Sequence, residues 1–218
     1  MKKKIIIYTI KDPIFTLPII NKICKFLEKN YTIEILYGKK SINMIFKTLV
    51  CFFLFGSIIK FILTYLKSSQ KLNITNSIKI VKEESNDYEF GISFNYSKKI
   101  KIKKFKIYNF HIGDLKKQRG VFIFFYKYLY NWKTLDLTFH EINKNFDSGK
   151  ILKRKKINIK NINCFEICSI YSKNYNFILQ CLKLISSKIS NRKNIVTKTK
   201  GKYNSEPSLI KILNFYFK

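Results

Sequence analysis

Apolar positions along the chain follow two different periods, and the changes between them mark its elements. Residues 4–10 form a continuous, largely β-branched run, as expected of a strand covered on both faces. Asp12-Pro13 breaks the run. Leu17, Ile20, Cys24 and Leu27, with Ile23 beside them, then recur at helical spacing and predict a helix over residues 15–30. Residues 32–37 read as a second strand, so the chain opens as a parallel α/β unit. Further strands are predicted at 77–81, 89–94 and 105–112, then an aromatic helix at 121–130 and strands at 136–141 and 150–157. A helical pattern runs from 164 to 189, and an apolar tail closes the chain at 209–217.

Residues 42–66 need separate treatment. From Thr48 to Leu66 the chain is apolar apart from Lys60 and a few hydroxyls, close to the roughly 20 residues that cross a bilayer. Gly56-Ser57 interrupts the stretch, and a span would carry Lys60 inside the apolar region. The reading is therefore a helical insert packed on the domain. A helix lying in a membrane surface, and then a true span, are the alternatives.

The high charge says less about partners than its size suggests. The net charge of +30 comes from 43 basic against 13 acidic residues, but only three of the basic ones are arginine, and alanine is absent. Without arginine-rich or aromatic-interleaved stripes, the excess reads as a solvated lysine coat, and nucleic acid is disfavoured as a partner. The five cysteines are scattered and odd in number, which implies no disulfide framework. Cys164 and Cys168 lie four apart with no further ligand cluster, so no metal site is expected. The apolar run after Lys2-Lys3-Lys4 is only six residues long, too short for a signal peptide. A cytoplasmic setting is expected, with membrane association left open through residues 42–66. No G-x-G-x-x-G pattern occurs, which argues against a dinucleotide site.

The scarce polar chemistry is concentrated. Both histidines, the only tryptophan and three of the five aspartates lie between residues 109 and 147. Asn109 and His111 are two apart on a predicted strand and so face one space, just before the turn Ile112-Gly113-Asp114. Open α/β sheets place their ligand crevices at such carboxyl ends. Asn109-Phe110-His111, then Gln118-Arg119-Gly120, Thr138-Phe139-His140 and Asp147-Ser148-Gly149 follow in order and spacing. This series resembles the folate-dependent formyltransferases, which include the glycinamide ribonucleotide, methionyl-tRNA and sugar N-formyltransferases. The match runs from about residue 87 to 152, with a looser one at 3–27 and another at 203–207. Ile112 and Lys116 depart from it, standing where the family often has proline.

The resemblance implies a Rossmann-like α/β fold with a mixed, mainly parallel sheet and helices on both faces. It implies a catalytic domain over 1–160 containing the insert at 42–66, and a helical extension over 161–218 packed on the core. It also implies 10-formyltetrahydrofolate as formyl donor, catalysis by Asn109, His111 and Asp147, and a homodimer. Phe94, Tyr96, Ile142 and Phe146 would lie at the pterin pocket, with core packing as the competing role for each. Gln118 and Arg119 would bind substrate. His140 is expected to be structural or pocket-lining. Formyl transfer to an amine builds negative charge on the formyl oxygen and must remove a proton from the amine. Asn109 can donate to that oxygen, His111 can exchange a proton near neutrality, and Asp147 can orient the imidazole or take the proton itself.

The acceptor follows from what the chain lacks. A methionyl-tRNA formyltransferase would carry a further C-terminal barrel, and the glycinamide ribonucleotide branch a glycine-rich turn where this chain has Thr9-Ile10-Lys11-Asp12-Pro13. A nucleotide-linked amino sugar is the expected acceptor, as in cell-surface polysaccharide pathways. The alternatives are a methionyl-tRNA formyltransferase-like enzyme lacking the barrel, and a non-catalytic basic module binding tRNA or membrane.

Overall fold

The computed structural model describes the chain except residues 1, 40, 69–70, 86, 97, 102, 144–146, 148, 188–202 and 218. Its centre is a seven-stranded sheet ordered β3-β2-β1-β4-β5-β7-β8. These are β1 (Lys3–Ile10), β2 (Tyr31–Gly38), β3 (Ile78–Val81), β4 (Phe90–Phe94), β5 (Lys106–Ile112), β7 (Thr134–Glu141) and β8 (Ile151–Asn158). The first five run parallel, and β7 and β8 are antiparallel to their neighbours. A mixed, mainly parallel α/β sheet is thus present, as expected.

The period-2 rule explains how one strand serves two cores. Ile5 and Ile7 of β1 join the cluster beneath α1 (Leu17–Leu27), α6 (Ile170–Lys173) and α7 (Tyr175–Ser186), while Ile6 and Tyr8 join a second cluster on the other face. That second face is covered by Tyr88, Tyr96, Ile100 and Phe105 from the segments flanking β4. Helix α1 carries Pro18 in its first turn, where a missing N–H costs nothing.

The apolar stretch at 42–66 is two helices, α2 (Ile42–Leu54) and α3 (Ile58–Lys67). Ser41 caps α2 by accepting from the Met44 N–H, and Gly56, at φ +67°, turns the chain between the two helices. Among the described residues, no helix is long and apolar enough to cross a membrane. Phe52 anchors the hairpin, packing its ring near Phe15, Phe124 and Phe165.

The helical pattern predicted over 164–189 is broken into α5 (Cys164–Cys168), α6 and α7. Its last two residues lie outside those described. Asn163 and Glu166 form a reciprocal capping box at the start of α5, and Asn174 bonds back to the Ile170 carbonyl at the α6–α7 junction. The C-terminal part is not purely helical. Tyr203–Asn204 forms β9, which pairs in parallel with β6 (Arg119–Gly120), and α8 (Leu209–Tyr216) follows. Ile212 of α8 packs with Phe125 and Tyr126 of α4 (Ile123–Leu129).

Candidate functional site

Sheet order brings three separated parts of the chain to one place. Strands β1, β4 and β5 lie side by side, and residues from their carboxyl ends, Ile10, Ser93 and Asn109 to Ile112, line a cavity of about 320 Å³. Met44 and Thr48 of α2, Phe122 and Phe124 beside and within α4, and Ile167 and Cys168 of α5 complete its wall. Its volume lies within the range of small-molecule sites.

Asn109, His111 and Asp147 converge in this cavity. Oδ1 of Asp147 lies 3.4 Å from the Asn109 amide nitrogen and 3.5 Å from Nδ1 of His111. The other carboxylate oxygen accepts the Gly120 N–H at 3.0 Å. That bond ties the loop after β7 to β6. Asp147 itself has φ +46°, a left-handed conformation that aspartate tolerates better than most residues.

The two histidines have different tasks, and their second nitrogens reveal them. His111 Nε2 lies 2.9 Å from the Gln118 carbonyl, which can only accept, so Nε2 carries a hydrogen. Nδ1 is left facing Asp147, and it is the nitrogen able to exchange a proton with the carboxylate or a bound amine. His140 Nδ1 lies 3.0 Å from the Glu141 carbonyl and carries its hydrogen there. Its Nε2 then accepts from the Asn109 amide at 3.2 Å. Burial pushes the His140 pKa down to about 4, against the opposing pull of Asp147, so the ring remains a neutral acceptor at physiological pH. Both amide hydrogens of Asn109 are thus engaged, by His140 and, in the longer 3.4 Å contact, by Asp147, which holds the amide in one orientation at the cavity wall.

The remaining predicted residues separate clearly. Tyr96 and Ile142 line the cavity. Phe94 does not: it is buried in the core, its ring against Phe110 and Tyr171, which corrects its expected place at the pocket. It faces away because neighbouring positions on β4 alternate, and Ser93 is the one turned to the site. Phe146 lies outside the described residues.

Gln118, expected to touch substrate, is buried, with both its amide oxygen and its amide nitrogen bonded within the fold. Its side chain accepts from the Asp114 N–H at 3.0 Å and donates to the Thr134 carbonyl at 2.8 Å, while its backbone carbonyl holds His111. Gln118 is therefore a clamp on the turn after β5. Arg119 is held in β6 by pairing with Tyr203, and the cavity wall takes its neighbour Gly120 instead.

His140 lines the cavity, as expected, and its bond to Asn109 is an addition set by the antiparallel register, which places Asn109 opposite His140 and His111 opposite Thr138. Met44 and Thr48 carried no signal at all, because only the packing of α2 brings them to the cavity. Among the described residues, no group of three His, Cys, Asp or Glu side chains is placed to hold a metal ion.

No protein-family model matches the sequence, and a search of curated proteins finds no match. Solved structures do match. A 4-N formyltransferase from Francisella tularensis superposes with a TM-score of 0.61 at 17% identity, over 98% of this chain and 86% of that one. WlaRD, a sugar 3N-formyl transferase solved in the presence of dTDP and 5-N-formyl-THF, gives 0.58 at 21% identity, over 94% and 70%. Methionyl-tRNA formyltransferase from Clostridium thermocellum gives 0.51 at 16% identity, over 94% and 71%. At these identities the likeness speaks for architecture: the chain has the formyltransferase fold.

Proposed function

We propose that the protein is an N-formyltransferase that moves a formyl group from 10-formyltetrahydrofolate to a primary amine of a nucleotide-linked amino sugar. The observation that carries this reading is the convergence of Asn109 and His111 on Asp147, at 3.4 and 3.5 Å, in a cavity at the carboxyl ends of β1, β4 and β5. The cavity also fits the donor. Tyr96, Ile100 and Ile142 supply apolar lining for a flat ring system, in the same cavity as Asn109, His111 and Asp147.

When bound, the folate supplies the activated formyl carbon. Asn109, held by His140 through one amide hydrogen, gives the formyl oxygen the other, the one directed at Asp147 at 3.4 Å, as that oxygen gains negative charge. The His111–Asp147 pair takes the proton that the attacking amine loses and passes it to N10 of the folate as the bond from the formyl carbon to N10 breaks, so that tetrahydrofolate leaves. Gln118 and Gly120 hold these two groups through backbone atoms, so neither needs to reorganise as charge develops. The acceptor class rests on the sugar N-formyltransferases among the similar structures and on the missing glycine-rich turn after β1.

The test is a formyl-transfer assay with 10-formyltetrahydrofolate and a panel of amino-sugar nucleotides, methionyl-tRNA and glycinamide ribonucleotide. Formylation of an amino-sugar nucleotide is expected. Formylation of methionyl-tRNA alone would move the acceptor to the runner-up reading, and inertness toward every amine would remove the enzyme assignment.

A further inference from the structure

Helix α3 carries its apolar residues on the wrong side for a core helix. Ile59, Ile62, Leu63 and Leu66 follow the spacing i, i+3, i+4, i+7 of a single helical stripe. In a packed helix that stripe is buried, yet here these four side chains are 48–75% exposed. The hairpin is held to the domain by Phe61 and Ile58, which pack with Phe15 and Phe52, so the outward stripe is surplus to folding. Helix α2 repeats the arrangement, with Ile42, Phe46 and Phe53 exposed. Contiguous apolar exposure of this kind marks an interaction surface.

The charge around the stripe selects the occupant. No Asp or Glu occurs between Glu34 and Glu83, while eight lysines fall in that interval. On α3 itself, a shallow groove is lined by Ile59 and Leu63 together with Lys60 and Lys67. Lys60 also lies 3.8 Å from Glu166. A second copy of this chain fits poorly, because a two-fold interface would oppose lysines to lysines with no carboxylate from this interval between them. The outward face also offers little for specific polar recognition, since the Thr64 hydroxyl is already bonded to the Lys60 carbonyl. Apolar side chains flanked by ammonium groups match an interface that supplies acyl chains and phosphates together. With ten residues, α3 is about 15 Å long, half the thickness of a bilayer core, so it would lie flat.

We propose that α3, with the exposed face of α2, docks the protein on an anionic phospholipid surface. The stripe inserts at the headgroup boundary, and Lys60 and Lys67 meet lipid phosphates. This docking is independent of the formyl-transfer reading, because none of the four stripe residues lines the catalytic cavity.

The test is co-sedimentation of the full chain with vesicles of phosphatidylcholine alone or mixed with phosphatidylglycerol, at physiological salt. Three proteins are compared: wild type, the double variant Ile62→Ser/Leu66→Ser, which leaves the charge unchanged, and Lys25→Gln/Lys29→Gln, which removes two positive charges from the exposed surface at and just beyond the end of α1. Wild type should partition onto the anionic vesicles at least about tenfold better than onto the neutral ones. The double serine variant should lose about tenfold or more of that binding with an unchanged melting transition, and the glutamine variant less than about threefold. The proposal is overturned if the serine variant binds as wild type does, since the lysine coat alone would then explain the attachment. It is equally overturned if vesicles bind nothing and the serine substitutions instead convert a dimer to a monomer, or abolish binding to an acidic polypeptide.

Discussion

His140 and Asn109 face each other across the antiparallel pairing of β5 and β7, and the 3.2 Å contact between their side-chain nitrogens fixes which way the amide points. An asparagine amide is nearly symmetrical in shape, so only its partners decide whether nitrogen or oxygen faces a site. Here the decision passes from the Glu141 carbonyl, through His140, to Asn109. Replacing His140 with alanine should lower kcat by about tenfold or more through loss of that orientation, with little change in KM. Steady-state kinetics of the variant would check this, and a change confined to KM would argue that His140 serves binding instead.

The same histidine makes stability depend on pH. An unfolded chain binds the His140 proton near the ordinary value of 6.5, whereas the folded chain binds it only near about 4. Between those values the unfolded state holds more protons, so stability falls as pH drops through the window, by about 3 kcal/mol in all. Urea midpoints of wild type and His140→Asn, measured from neutral pH down to the acid limb, should converge as pH falls. Parallel curves would show that His140 does not carry the effect.

Gly113 permits the contact that holds His111. At φ +141°, a Cβ there would lie 2.1 Å from the Gln118 carbonyl oxygen and 2.8 Å from His111 Nε2. Gly113→Ala should therefore destabilise the fold by about 2 kcal/mol or more and depress activity beyond the fraction unfolded. Thermal melting together with activity per folded molecule separates the two effects. An alanine variant with normal melting and turnover would contradict the described turn.

Phe94 and Tyr96 are two residues apart with different duties. Phe94→Leu should cost about 1–2 kcal/mol of stability and leave the KM for the formyl donor unchanged, because its ring lies in the core. Tyr96→Leu should do the reverse, raising that KM while the urea midpoint moves little, because its ring borders the cavity. A donor KM that responds to Phe94 and not to Tyr96 would invert this assignment.

Strand positions were readable because apolar runs bounded by turn residues have few other outcomes. Predicted strands at 32–37, 89–94 and 150–157 correspond to Tyr31–Gly38, Phe90–Phe94 and Ile151–Asn158. Asn109 and His111 could be placed together by strand period alone. Asp147 could be drawn toward them only through the family resemblance, since its approach depends on a loop and on the Gly120 N–H. The use of Gln118 as a clamp was hidden, because a buried amide satisfied by Asp114 and Thr134 looks in sequence like any polar residue beside a glycine. The cavity wall from α2 was equally hidden, being set by how Phe52 seats the hairpin. The breaks of the 164–189 pattern fall at Ser169 and Asn174, whose side chains bond back to the Phe165 and Ile170 carbonyls, a local competition that apolar periodicity does not register.

The most direct measurement of the central claim is turnover of formyl transfer from 10-formyltetrahydrofolate in Asn109→Ala, His111→Ala and Asp147→Ala, each checked for a native urea midpoint. Three groups that gather around one reacting carbon should each be needed, so each variant is expected to lose about a hundredfold or more in kcat. Near wild-type rates in any two of them would contradict the account.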